Sequence, residues 1–72
     1  MNKTLKKPAP KEIKASRKAA KLTQSEMAEM LHVGLKTVQN WEAPDTSKEH
    51  RKMPLGLWKL FLIETGAKNN ES

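Results

Sequence analysis

Cysteine is absent from the sequence, and its absence excludes several kinds of chemistry. Without thiols the chain forms no disulfide, uses no thiol nucleophile and offers no thiolate ligand to a metal ion. The two histidines, His32 and His50, lack the H-x-x-x-H spacing of metal ligands, and no glycine-rich phosphate loop surrounds them. We therefore expect no metal, no cofactor and no enzymatic activity.

Long apolar runs are lacking too. The longest, residues 60–63, is far shorter than the roughly 20 residues that a membrane-spanning helix needs. Residues 1–11 contain Lys3, Lys6 and Lys7 with no apolar stretch behind them, so they do not resemble a secretory signal. These features lead us to expect a cytoplasmic protein without a membrane segment.

Positive charge is what the sequence has in excess. There are 14 lysines and arginines against 8 acidic residues, which gives a net charge of +6 on 72 residues. A chain of this length holds one small domain, which buries only about 60% of the surface of its unfolded chain. Such a charge favours polyanionic partners. Nucleic acid is the first candidate, and a membrane surface is the second, although the basic N-terminal residues have no bulky apolar face beside them.

The pattern along the chain predicts a small all-α domain of four helices with a flexible basic N-terminal arm. Residues 1–10 carry lysines and two prolines with little to bury, which is typical of such an arm. The domain is expected over residues 11–66 and a flexible tail over residues 67–72. Four segments have the composition and apolar spacing of helices: residues 11–21, 24–31, 35–41 and 55–64.

The ends of the helices are marked by particular residues. Thr23 and Glu26 predict a capping box at the start of the second helix. Residues 43–53 are polar and charged, which predicts an exposed loop. Pro54 occupies the first turn of the last helix, and Gly66 stops it. The second helix is expected to bury one stripe of residues, namely Met27, Ala28 and Leu31.

Residues 24–41 combine two short predicted helices in an arrangement that suits the major groove of DNA. A three-residue connection joins two short helices, and the outward face of the second helix is rich in Lys, Thr, Gln and Asn. The major groove of DNA admits one helix with such a face. The segment LTQSEMAEMLHVGLKTVQNWE, within residues 13–42, resembles the Cro and phage-repressor-like helix-turn-helix family. Residues 53–54 and 58–62 also resemble small autoregulators of phages and mobile elements, including anti-CRISPR-associated repressors.

The resemblance implies that the third helix, residues 35–41, lies in the major groove and reads bases. The reading positions of the family fall here on Leu35, Lys36 and Asn40, with Thr37 and Gln39 beside them. Lys36 could donate to guanine O6 or N7, and Leu35 could touch a thymine methyl. Asn40 or Gln39 could pair with adenine, although Gln39 could as easily bind a phosphate. For Lys36 and Asn40 the alternative is an ordinary solvated face.

Contacts to the DNA backbone are expected from a second set of residues. The resemblance implies that Gln24, at the positive end of the second helix, contacts a phosphate, the alternative being a plain surface glutamine. Thr23 lies at the same helix end, and Gly34 would cap the third helix while leaving its amides open to a phosphate. The loop and the arm should add sequence-independent attraction through their basic residues: Lys48, Arg51 and Lys52, with Lys3, Lys6 and Lys7.

The family pairs an arginine and a glutamate at positions that match Arg17 and Glu42. A planar guanidinium and a carboxylate fit two parallel hydrogen bonds, and such a pair would tie the first helix to the end of the third. The alternative to this pair is that Arg17 and Glu42 are two unrelated charges on the surface. His32 departs from the family pattern, which usually has glycine in the turn, but histidine tolerates a positive φ better than most residues.

The last predicted helix is apolar almost all round, so its residues cannot all face one core. A second copy of the chain is the economical partner, because two copies would read the two halves of an inverted repeat about one helical turn apart. The alternative is a monomer in which Trp58 and Leu62 cap the core. In the dimer those two residues face the domain's own core, and four others face the partner: Leu57, Leu60, Phe61 and Ile63.

Together these features predict a transcriptional regulator that binds double-stranded DNA sequence-specifically and represses its own operon. The alternative function is that of an antitoxin or another interaction module, which binds a partner protein as well as DNA. A toxin gene next to the gene for this chain would favour the alternative.

Overall fold

The computed structural model describes residues 7–66, which fold into four α-helices without a strand. Both α1 and α2 pack against α3, and α4 packs against α2. The prediction of a small all-α domain is confirmed, and each helix lies close to its predicted segment. The helices are α1 (Pro10–Ala19), α2 (Gln24–Leu31), α3 (Leu35–Glu42) and α4 (Leu55–Thr65).

Packing begins earlier in the chain than predicted. α1 starts at Pro10 itself, where a proline loses no helical hydrogen bond, and the backbone N–H of Ile13 donates to the Ala9 carbonyl at 3.0 Å. Pro8 is buried, which corrects the expectation that the whole chain before residue 11 is a flexible arm. Residues 1–6 of the predicted arm and the predicted tail, residues 67–72, lie outside the described residues.

Apolar residues from all four helices meet in one core. The predicted stripe of α2 is buried, with no member more than 5% exposed. Around it lie residues of α1, α3 and α4, and the rings of Trp58 and Phe61 stack with their centroids 5.9 Å apart. The complete buried set is Ile13, Met27, Ala28, Leu31, Val38, Trp41, Met53, Trp58 and Phe61.

Two members of this core correct the predictions. Met53 was expected at the end of an exposed loop, but its exposure is 0%, since the loop returns to α3 and the N–H of Arg51 donates to the Asn40 carbonyl at 3.1 Å. Phe61 was expected to face a partner, but it too is 0% exposed and stacks on Trp58. A side chain that is fully covered within one chain offers no surface to a second copy.

The connections around α2 are set by its cap and by two residues in the left-handed region. The capping box is confirmed: the Glu26 N–H donates to Thr23 Oγ1 at 3.0 Å, and the Thr23 N–H donates to Glu26 Oε1 at 2.8 Å. His32 ends α2 with a φ of 58°, as its tolerance of positive φ had suggested. Lys21, between α1 and α2, has a φ of 61°. The sequence analysis did not predict a left-handed residue at this position.

Replacement of His32 by glycine should stabilise the domain. The left-handed conformation costs a residue with a Cβ atom about 1 kcal/mol, and glycine adopts it freely. We expect His32→Gly to raise the free energy of unfolding by about that amount in urea denaturation. Ala15→Gly, at an exposed position within α1, is the control and should lower it by about 1 kcal/mol. A loss of stability in both variants would contradict the argument.

α4 is bounded by a proline and a glycine, as predicted, although Pro54 is the residue before the helix and not part of its first turn. Its carbonyl accepts from the N–H groups of Leu57 at 3.1 Å and Trp58 at 3.0 Å. Gly66 ends the helix with a φ of 70°, which glycine adopts without strain. Among residues 7–66, none of the helices combines the length and the apolar character that a membrane span requires.

Candidate nucleic-acid interface

One side of α3 faces the core and the other faces solvent. Lys36 and Gln39 are exposed and Asn40 is half-buried, and their spacing of three and four residues places them on one face of the helix. Leu35, which is 42% exposed, and the half-buried Thr37 lie on either side of that face. We call these five residues the reading face. The opposite side of α3 holds Val38, Trp41 and Glu42, all buried.

The start of α3 leaves amide groups open. Gly34 caps the helix in an extended conformation without a side-chain hydrogen bond, and its carbonyl accepts from the Thr37 N–H at 3.1 Å. A Cβ atom at Gly34 would have only Thr37 Oγ1 within 4 Å, at 3.9 Å, so the position is not closed to larger residues. The first-turn N–H groups of a helix carry partial positive charge and suit a phosphate.

A buried network fixes α3 to the rest of the domain. Arg17 Nε donates to Glu42 Oε2 at 2.7 Å, and Arg17 Nη2 donates to Glu42 Oε1 at 3.1 Å. These are the two parallel hydrogen bonds that the resemblance implied for this pair. Arg17 Nη1 also donates to the Leu22 carbonyl at 2.8 Å, so one guanidinium joins α1, the connection before α2, and the last residue of α3. The side chains of Arg17 and Glu42 are 10% and 3% exposed.

Gln24 takes part in the same network. Its Nε2 donates to Glu42 Oε1 at 3.1 Å, so the side chain proposed for a phosphate is directed towards α3. An amide nitrogen carries two hydrogens, and the contact with Glu42 uses one of them. Thr23 is more restricted, because its N–H is bonded to the Glu26 carboxylate and its Oγ1 accepts from the Glu26 N–H. Only its hydroxyl hydrogen remains to donate to a phosphate.

The three basic residues of the loop between α3 and α4 are all exposed. Arg51 is nevertheless turned into its own loop, where Nη1 donates to the carbonyls of His50 at 2.8 Å and Lys48 at 3.2 Å. Its guanidinium therefore contributes to the shape of the loop. Lys48 and Lys52 extend from the loop as point charges, which suits contacts with phosphate groups.

Two side-chain contacts of this region could not be predicted from the sequence. Glu42 receives a hydrogen bond from Gln24 as well as from Arg17, and Lys36 forms an ion pair with Glu49, whose Oε1 lies 3.6 Å from Lys36 Nζ. The partners are 18 residues apart in the first contact, and the second joins a helix to a loop. Helical spacing predicts neighbours only at three or four residues, so neither contact could have been found from it.

The outward side of α4 keeps part of its apolar surface uncovered. Ile63 is 66% and Leu60 is 37% exposed, and Leu57 is half-buried. Ile63 and the half-buried Leu62 line a shallow groove with Lys59 and Gly66. Three of the four residues expected at a partner thus keep some exposed surface, and the fourth is Phe61, which is in the core.

Two short helices, a tight connection and an exposed polar face on the second helix define a helix-turn-helix domain. Comparison with known families agrees, since residues 13–45 match the helix-turn-helix family of the Cro/C1 type. Residues 13–45 therefore form a helix-turn-helix of this type, which supports the class of DNA-binding regulators for this chain. No curated protein is similar enough to this chain to count as a relative.

Proposed function

We propose that this protein is a sequence-specific transcriptional repressor that binds an inverted-repeat operator in its own promoter as a homodimer. α3 enters the major groove and the reading face contacts base edges. Amides at the starts of α2 and α3, with Lys48 and Lys52, contact the phosphates. Repression follows from occupancy of the promoter, which excludes other proteins from the same DNA.

The observation that carries this proposal is the contrast between the two sides of α3. Its inner side is locked by core packing and by the Arg17–Glu42 network, so the helix is a rigid support. Its outer side presents Lys36, Gln39 and Asn40 to solvent, and these side chain types form hydrogen bonds with guanine and adenine in the major groove. A positive net charge of +6 provides the attraction to the DNA backbone.

A dimer is proposed because one reading face makes too few base contacts to select a single site in a genome. The exposed Leu60 and Ile63 supply an apolar surface on α4. A self-complementary contact between two copies of that surface would give the complex two-fold symmetry, which an inverted repeat matches. Half-site centres should then lie about 10 base pairs apart.

Selection of binding sites from a random pool of DNA duplexes tests the proposal, and two variants separate base reading from phosphate contact. Asn40→Ala should lose about 1–3 kcal/mol at one base pair of each half-site, since that contact distinguishes bases. The double variant Lys48→Gln, Lys52→Gln should keep the base preference. Its plot of log affinity against log salt should be flatter by about one unit per lost phosphate contact.

The two variants act as controls for each other in the same titrations. Selection that returns no common sequence would overturn sequence-specific binding. An altered base preference with an unchanged salt slope in the lysine variant would show that the loop reads sequence and does not bind phosphates.

A further inference from the structure

Glu49 places a negative charge beside the reading face. Its Oε1 lies 3.6 Å from Lys36 Nζ, and the two side chains are 63% and 72% exposed. The only acidic residue within α3 is Glu42, which is buried on the opposite side. The carboxylate next to Lys36 therefore comes from the following loop.

Hydrogen bonds hold the loop that carries Glu49. The N–H of Glu49 donates to Ser47 Oγ at 3.1 Å. On the C-terminal side, His50 Nδ1 lies 3.1 Å from the Ala43 carbonyl, and the Arg51 N–H donates to the Asn40 carbonyl at 3.1 Å. The backbone around Glu49 is thus tied to the end of α3, which keeps the Glu49 side chain within reach of Lys36.

We propose that Glu49 is a specificity-determining positioning residue of the DNA-binding surface, which directs the Lys36 ammonium to base edges and away from phosphates. This inference rests on the proposed function. An exposed ion pair contributes little to folding, but lysine has a long flexible stem, and a neighbouring carboxylate on a tethered loop favours positions of the ammonium on its own side.

The carboxylate also acts against binding at the wrong site. It is repelled by the phosphates of any duplex, and it competes with them for the Lys36 ammonium. A contact from Lys36 to guanine offsets this cost only where the correct base pair is present. Glu49 therefore weakens binding to all DNA and weakens it least at the operator, which increases the ratio between the two affinities.

The test compares Glu49→Gln with Asp45→Asn in the full chain. Asp45 is an exposed carboxylate of the same loop and forms no ion pair within residues 7–66, so the control makes the same change in charge. Affinities are measured for the duplex selected by the wild type, for its single-base-pair variants and for a scrambled duplex. Thermal unfolding checks that both variants are folded.

We expect Glu49→Gln to lower the ratio of selected to scrambled affinity about fivefold and to relax preference at one base pair of each half-site. Asp45→Asn should raise both affinities by the same factor. With Lys36→Met already present, Glu49→Gln should leave the ratio unchanged.

Equal behaviour of the two loop variants, or an effect of Glu49→Gln that persists without Lys36, would overturn the positioning role and leave the proposed function standing. A wild type that binds all duplexes equally would overturn both.

Discussion

Glu42→Ala is expected to unfold most of the protein at room temperature. The Arg17 and Glu42 side chains are 10% and 3% exposed, and removal of the carboxylate leaves a buried guanidinium without its counter-charge. Breaking such a pair costs about 3–5 kcal/mol. A single core in a domain of this size rarely supplies more than about 3–5 kcal/mol in total. Circular dichroism during urea and thermal denaturation would measure the loss.

The control for Glu42→Ala removes both charges. In the double variant Arg17→Met, Glu42→Leu no buried charge is left unpaired, and apolar replacement of a buried ion pair is often neutral or stabilising. We expect it to recover much of the lost stability, with a residual cost because the Leu22 carbonyl loses its donor. A melting temperature of Glu42→Ala equal to that of the wild type would show that the pair is not buried in solution.

The segment around α2 and α3 was the part of the fold that the sequence predicted best. Thr23 and Glu26 fix the start of α2 through contacts three residues apart, and such local contacts can be read from spacing. The buried stripe of α2 follows from the helical repeat in the same way. The residues of the reading face were implied by the resemblance to the Cro-like family, and they lie on the side of α3 away from the buried Val38, Trp41 and Glu42.

The wrong predictions arose where the local sequence pattern does not show which side chains face the core and which face solvent. α4 is apolar on nearly every side, so helical spacing cannot show which residues face the core, and Phe61 was assigned to the wrong side. Met53 was predicted to be exposed because it follows a run of polar residues. The sequence pattern does not show that the loop returns to α3, since that return depends on hydrogen bonds between residues far apart in the sequence. The ion pair of Lys36 with Glu49 was missed for the same reason.

Ile63→Glu should produce a folded monomer that binds the operator poorly, if α4 forms the dimer contact. Ile63 is 66% exposed in the single chain, so a charge there should change stability by no more than about 0.5 kcal/mol. In a dimer the same charge would be buried against the partner's apolar surface without a counter-charge. Loss of the second reading face should lower affinity for the inverted repeat by about 10²-fold or more.

Two further variants separate the dimer contact from the core and from the effect of charge. Ala15→Glu adds the same charged side chain at an exposed position of α1, and it should reduce DNA affinity slightly while leaving the dimer intact. Phe61→Glu places that side chain where exposure is 0%, and it should unfold the domain, since truncation of a buried phenylalanine alone costs about 3–5 kcal/mol. Sedimentation at micromolar concentration gives the mass of each species. A wild type that sediments as a monomer, or an Ile63→Glu variant that remains a dimer, would show that α4 is not the contact between the two copies.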